Sequence, residues 1–144
     1  MPILRVFPRK TNATPQDDYV AICSPGLFIP DDISEIHISV TFTWDLQFAE
    51  VLADQWSRYG HVKIGGPATG IRGENFSQGL YLKHGYTINS RGCHNHCWFC
   101  SVPKLEGPLR ELPTVDGWNF LDDNVRPDRV LLKVALDTTA LDHG

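Results

Sequence analysis

Three of the four cysteines, Cys93, Cys97 and Cys100, fall within the eight residues Cys93-His94-Asn95-His96-Cys97-Trp98-Phe99-Cys100. Spacings of three and two intervening residues let one short loop present three sulfurs to a common inorganic centre. A disulfide would use two of the thiols and leave the third idle. Structural zinc takes four ligands, usually as two separated pairs, and the chain has no second Cys-x2-Cys. His94 or His96 could complete a zinc site only by folding back sharply onto the ion held by the neighbouring cysteine. An iron-sulfur cubane meets the count differently, since three thiolates hold three irons and the fourth iron keeps an open position for an exogenous ligand. On ligand count and spacing, the cluster and zinc both remain open.

What cysteines do depends on the compartment. The N-terminus Met1-Pro2-Ile3-Leu4-Arg5-Val6-Phe7-Pro8-Arg9-Lys10 has no apolar leader segment. No later stretch approaches the roughly 18 apolar residues of a membrane span. The reading is therefore a cytoplasmic protein with no membrane partner, where clustered thiols hold metal in preference to forming disulfides. Cys23, with no cysteine near it in sequence, is expected to be a small buried hydrophobe. The 13 Lys+Arg are scattered among 17 Asp+Glu, with a net charge of -4. No basic stripe marks a nucleic-acid partner.

The elements that must position the loop follow from hydrophobic period. Ile36, Ile38, Val40, Phe42 and Trp44 alternate with polar residues and predict a strand over 36–44. Parallel strands covered on both faces read as continuous apolar runs, so this alternation predicts an edge or one-sided strand. Asp45 suits an N-cap, and Leu46, Ala49, Leu52, Ala53 and Trp56 keep helical spacing up to Gly60, giving a helix of about four turns. His61 to Ile64 is a second strand that ends in Gly65-Gly66-Pro67. This reads as a tight turn, since it lacks the six-position glycine fingerprint and the Lys-Ser pair of phosphate loops. Strand, helix and strand make one βαβ unit. Leu4 to Phe7 and Tyr19 to Cys23 are further short strands. Residues 68–85, with Gly70, Gly73, Gly79 and Gly85, form the expected linker. Tyr86 to Ser90 then reads as a strand running into the cysteine loop, and Trp118 to Leu121 as a later strand before Asp122-Asp123-Asn124.

Cys93-x3-Cys97-x2-Cys100, with Phe99 before the last cysteine, resembles the signature of the radical S-adenosylmethionine superfamily. Arg91-Gly92, Ser101-Val102-Pro103, Glu106-Gly107-Pro108-Leu109-Arg110 and Asp122-Asp123-Asn124 are similar to flanking features of that family, so the resemblance covers Tyr86 to Asn124. It implies an enzyme with a 4Fe-4S cluster held by Cys93, Cys97 and Cys100. The open iron would bind S-adenosylmethionine and cleave it reductively to methionine and a 5′-deoxyadenosyl radical that takes hydrogen from an unknown substrate. It further implies that Phe99 packs near the adenine, and that an electron donor such as flavodoxin or ferredoxin serves the cluster. The expected fold class is α/β: an N-terminal βαβ-type open sheet over residues 1–85, resembling the cobalamin-binding-like domain of one branch, then the first part of a partial (β/α) TIM-like barrel over 86–144. Cobalamin itself is not expected, because the chain has no Asp-x-His-x-x-Gly.

The chain departs from the family pattern after the loop. The Gly-Gly-Glu segment that would hold the S-adenosylmethionine amino group is missing there, and Gly65-Gly66-Pro67 lies upstream without a Glu. With 44 residues after Cys100 (144 − 100), at roughly 30 per strand-helix unit there is room for one or two units. The chain therefore reads as the first part of a longer enzyme, truncated or altered after Asn124, with Val130, Leu131, Leu132, Val134 and Leu136 in an ending of no recognised pattern. The competing function is a small zinc-stabilised interaction module built on the same loop. His94, His96, Lys104 and Arg110 read as solvent-facing, and Trp98 as a lid over the loop or a packing residue.

Overall fold

The computed structural model describes residues 2–70, 77–113 and 115–121. Asp122-Asp123-Asn124, the apolar ending and Gly73 of the expected linker lie outside the described residues. The chain divides into two compact units, Met1–Tyr81 and Leu82–Gly144.

The first unit is an α/β layer with a parallel sheet. Strands β1 (Ile3–Phe7), β2 (Val20–Ile22), β3 (Glu35–Ser39) and β4 (His61–Gly65) stand in the order β2-β1-β3-β4, with helix α1 (Leu46–Trp56) between β3 and β4 in sequence. All three pairings are parallel, with Leu4 opposite Ile36 and Ile36 opposite Val62. One face carries Leu4, Val6, Ile36 and Ile38, which pack with Val40 and with Ala49, Leu52 and Trp56 of α1, all at most 2% exposed. The indole N–H of the buried Trp56 donates to the Cys23 carbonyl at 3.0 Å, which satisfies its polar edge.

β3 is central and not an edge, yet it alternates because the sheet is apolar on one face only. Register aligns Arg5, His37 and Lys63 across the other face. Glu35 accepts two hydrogen bonds from Lys63, at 2.8 and 3.0 Å, and lies 2.9 Å from His37 Nε2. The Tyr81 hydroxyl, at the end of the short helix α2 (Gln78–Tyr81), sits 2.6 Å from His37 Nδ1. Arg5 is almost fully buried and donates to Asp17 Oδ1 and to the Leu80 carbonyl. A polar network therefore does on this face what apolar packing does on the other, which is why the strand reads as half-polar.

Several local expectations are corrected. β3 stops at Ser39 because its partner β4 runs out: the Val40 N–H bonds to the Gly65 carbonyl, and the Val40 carbonyl accepts from Ala68. Phe42 and Trp44 leave the sheet and stack on each other, with centroids 4.8 Å apart. Asp45 makes no side-chain cap to α1. Its carboxylate takes two 2.7 Å hydrogen bonds from Arg9, which hold it below the ordinary aspartate range. The helix ends at Trp56 and not near Gly60, and Ser57 to Tyr59 form the turn. Gly66 has φ +108°, and a Cβ there would lie 2.5 Å from the Val40 carbonyl oxygen, so the Gly65-Gly66-Pro67 turn exists for close backbone approach. Cys23 is half-buried and not a core residue. It sits at the end of outer strand β2 with φ 62°, and its thiol donates to the Pro8 carbonyl at 3.1 Å. No helix among the described residues is long and apolar enough to cross a membrane.

Two outcomes test this account. Leu52→Ala, which empties a fully enclosed site, should lower unfolding stability by about 2–5 kcal/mol in urea denaturation. The second concerns Glu35, whose carboxyl is lowered to about 2 by Lys63 first and His37 second. Because its folded pKa lies below the unfolded one, its contribution is complete above pH about 4.5 and disappears as pH falls toward 2. The stability gap between the wild-type chain and Glu35→Gln should therefore close over that window, and a gap of constant size would contradict the assignment.

Candidate metal-cluster loop

The second unit holds the cysteines. β5 (Gly85–Thr87) pairs in parallel with β8 (Gly117–Phe120), and β6 (Ser90–Arg91) pairs antiparallel with β7 (Arg110–Glu111). The expected strand from Tyr86 to Ser90 is thus two strands that serve different partners. Thr87, Ile88, Asn89 and Ser90 are all buried between them. The Thr87 hydroxyl donates to the Val115 carbonyl at 2.7 Å, and the Leu112 N–H to the Asn89 carbonyl at 2.8 Å. Gly85 is required where it stands, because with φ +96° its Cβ would meet the Trp118 ring at 2.5 Å.

The β6–β7 pair closes the base of a loop that runs from Gly92 to Leu109. Gly92 has φ +84°, and a Cβ there would lie 2.6 Å from the Gly107 carbonyl oxygen and closer still to that of Pro108. Directly after it, the Cys93 N–H donates to the Gly107 carbonyl at 3.2 Å, and Gly107 itself turns with φ +77°. Two glycines and one hydrogen bond therefore pin the first cysteine to the far end of its own loop. Helix α3 (Val102–Leu105) lies between, and Arg110 ties its end to β7 through the Glu106 carbonyl at 2.6 Å and the Glu106 carboxylate at 3.0 Å. Arg110, expected as a free surface charge, is thus a structural clamp, whereas Lys104 is exposed.

Along the loop the three thiols differ. Cys93 is buried, Cys97 is exposed and Cys100 is half-buried, and none is in a disulfide. The Cys100 N–H bonds to the Cys97 carbonyl at 3.1 Å, which makes Cys97-Trp98-Phe99-Cys100 a turn. Trp98 is 88% and Phe99 75% exposed, with their rings edge to face at 5.5 Å, so neither packs in a core. His94 and His96 are exposed, in line with a solvent-facing reading. Among the described residues no group of three or more His, Cys, Asp or Glu side chains is gathered closely enough to hold a metal ion. The sequence brings the three cysteines onto one loop, and the fold anchors the backbone of Cys93, exposes Cys97 and half-buries Cys100.

The clamp that makes this possible leaves no pattern in the sequence that periodicity can detect. Its signals are Gly92 immediately before the first cysteine and Gly107-Pro108 fourteen residues after it. Two-residue strands carry too little periodicity to reveal that these segments meet.

No family model matches the chain, and no solved structure matches it. Two curated proteins are similar to parts of it. Over 119 residues, 77% of the chain, it is 29% identical to the ribosomal protein uS12 methylthiotransferase RimO of Trichlorobacter lovleyi, of which it covers 26%. Over 56 residues, 38% of the chain, it is 41% identical to the protein of the same name from Syntrophus aciditrophicus, of which it covers 12%. The chain thus spans about a quarter or less of the length of these relatives.

The clamp makes a measurable claim. Gly92→Ala should cost about 1–3 kcal/mol of stability and should raise the alkylation rate of Cys93 toward that of Cys97, read by mass spectrometry of the labelled peptides. An unchanged rate at Cys93 would show that Gly92 does not hold the loop base.

Proposed function

We propose that Cys93, Cys97 and Cys100 hold a four-iron, four-sulfur cluster and that the chain is part of a radical S-adenosylmethionine enzyme. The observation that carries this reading is a single loop bearing exactly three thiols at this spacing, rooted at a strand end by the Gly92–Gly107 clamp. The similarity to the two proteins named ribosomal protein uS12 methylthiotransferase RimO supports it.

The donor set fits the group. Thiolates are the usual ligands of iron-sulfur clusters, and three of them leave one iron open. When bound, such a cluster supplies one electron and a coordination site at which S-adenosylmethionine is reductively cleaved. The chain's own contribution is positional. Cys93 is fixed by its backbone, while Cys97 and Cys100 sit on an exposed turn that can close over an arriving ion. Metal uptake and final ordering of the loop are then one coupled event, as in other sites whose ligands converge only on binding. Phe99, one residue before Cys100 and open to solvent, is available to stack on the adenine of S-adenosylmethionine.

In this reading the parallel β5–β8 pair is the start of a partial (β/α) barrel, with the cluster loop following its first strand, where barrel enzymes place their chemistry. The first unit is a cobalamin-domain-like α/β layer ahead of it. The electron donor is a flavodoxin or ferredoxin, and the second substrate is of unassigned class. Methylthiolation is the activity of the named relatives and a candidate for the longer protein of which this loop would be a part.

Reconstitution under anaerobic conditions with ferrous iron and sulfide tests the reading. The expected product is brown and holds about four irons per chain, and Cys97→Ala should lose both colour and iron. With S-adenosylmethionine and a strong reductant, 5′-deoxyadenosine should form. A colourless chain that binds one zinc would overturn the proposal in favour of an interaction module.

A further inference from the structure

We infer that Cys97 and Cys100 form a thiol–disulfide pair in the metal-free chain and that this pair is a site of reversible oxidation by a low-molecular-weight disulfide of the glutathione type. The three thiols are chemically alike but differently placed. Cys97 is exposed and open to attack on an incoming disulfide, Cys100 is half-buried beside it, and Cys93 is buried at the clamped base. The Cys100 N–H···O=C Cys97 bond at 3.1 Å closes a four-residue turn. Such turns hold the first and fourth Cα atoms within about 7 Å, and disulfides span Cα separations up to about that value. The chain therefore needs little rearrangement to link Cys97 to Cys100. Linking either of them to Cys93 would require a buried residue, whose backbone N–H is tied to the Gly107 carbonyl beside the close Gly92 contact, to come out of its site.

The reaction balances without any further reagent. The Cys97 thiolate attacks one sulfur of oxidised glutathione, forms a mixed disulfide and expels one glutathione thiolate. The Cys100 thiolate then attacks the Cys97 sulfur, forms the intraloop disulfide and expels the second glutathione thiolate. Two cysteine thiols are oxidised, one glutathione disulfide is reduced to two thiols, and the two protons lost by the cysteines are taken up by the two glutathiones. Excess reduced glutathione reverses both steps. The disulfide is a property of the loop itself. Its effect on metal uptake, the removal of two of three ligands, rests on the cluster reading.

The test uses the full metal-free chain, treated anaerobically with oxidised glutathione, alkylated, cleaved after Trp98 or Phe99 and mapped by mass spectrometry. The expected result is one dominant crosslink, Cys97 to Cys100, with Cys93 alkylated and the same crosslink in Cys93→Ser. Cys100→Ser should stop at the first step, with glutathione retained on Cys97. A dominant crosslink that includes Cys93, or three thiols that all remain alkylatable, would overturn the inference. A second arm offers ferrous iron and sulfide to the reduced and the oxidised chain. The oxidised chain should take up about tenfold less iron, because one remaining thiol cannot hold the cluster, and reduction by dithiothreitol should restore uptake. Equal uptake by both would refute the proposed block. If the mapped disulfide forms but the reduced chain takes no iron, the cluster reading fails while the oxidation site stands.

Discussion

The second unit depends on one close approach of backbone to backbone. Gly92 lies against the carbonyls of Gly107 and Pro108 where no side chain fits, and the hydrogen bond from the Cys93 N–H to the Gly107 carbonyl follows from that contact. Both ends of a loop of more than a dozen residues are thereby fixed at one point. Without it, the three cysteines would ride on an open segment, and bringing their sulfurs to a common centre would carry the full entropy of closing that segment. With it, only the short exposed stretch from His94 to Phe99 remains to be ordered. The fold thus treats the three differently: Cys93 is buried at the clamped base, Cys97 is exposed and Cys100 is half-buried.

The first unit shows another way of satisfying a parallel sheet. One face buries Leu4, Val6, Ile36 and Ile38 under α1. The other is held by Arg5, Glu35, His37, Lys63 and Tyr81, whose hydrogen bonds and ion pairs keep the polar face ordered. The network is partly exposed, so its individual ion pairs add less than the apolar face does. Its role is to fix α2 and the strand register. Only Arg5 Nε, among the described residues, is a buried side-chain polar atom without a hydrogen-bond partner.

Hydrophobic period recovered α1 and the core strands, because those elements bury a face against a large core and must show it in sequence. It failed where another constraint took over. Phe42 and Trp44 continue the alternation of β3, but the neighbouring strand ends at Gly65 and leaves them nothing to pair with. Asp45 has the chemistry of a cap, yet Arg9, remote in sequence, is the stronger partner. Cys23 was expected in the core and lies at the end of an outer strand, since burial tendency says nothing about strand ends. That three cysteines share one short segment is plain from residue type and spacing, and the structure places them on one loop. The clamp of that loop is not plain, because the β6–β7 pairing is set by tertiary contact between two-residue segments. The thiols are also less convergent than the spacing suggests, since among the described residues they form no metal-holding group.

The central claim is that three sulfur ligands leave one iron of the cluster open to S-adenosylmethionine. Mössbauer spectroscopy of the chain reconstituted with isotopically enriched iron, recorded with and without S-adenosylmethionine, tests this most directly. One iron site should differ from the other three, with parameters that change when S-adenosylmethionine is added. A spectrum in which every iron is alike and none responds would contradict it.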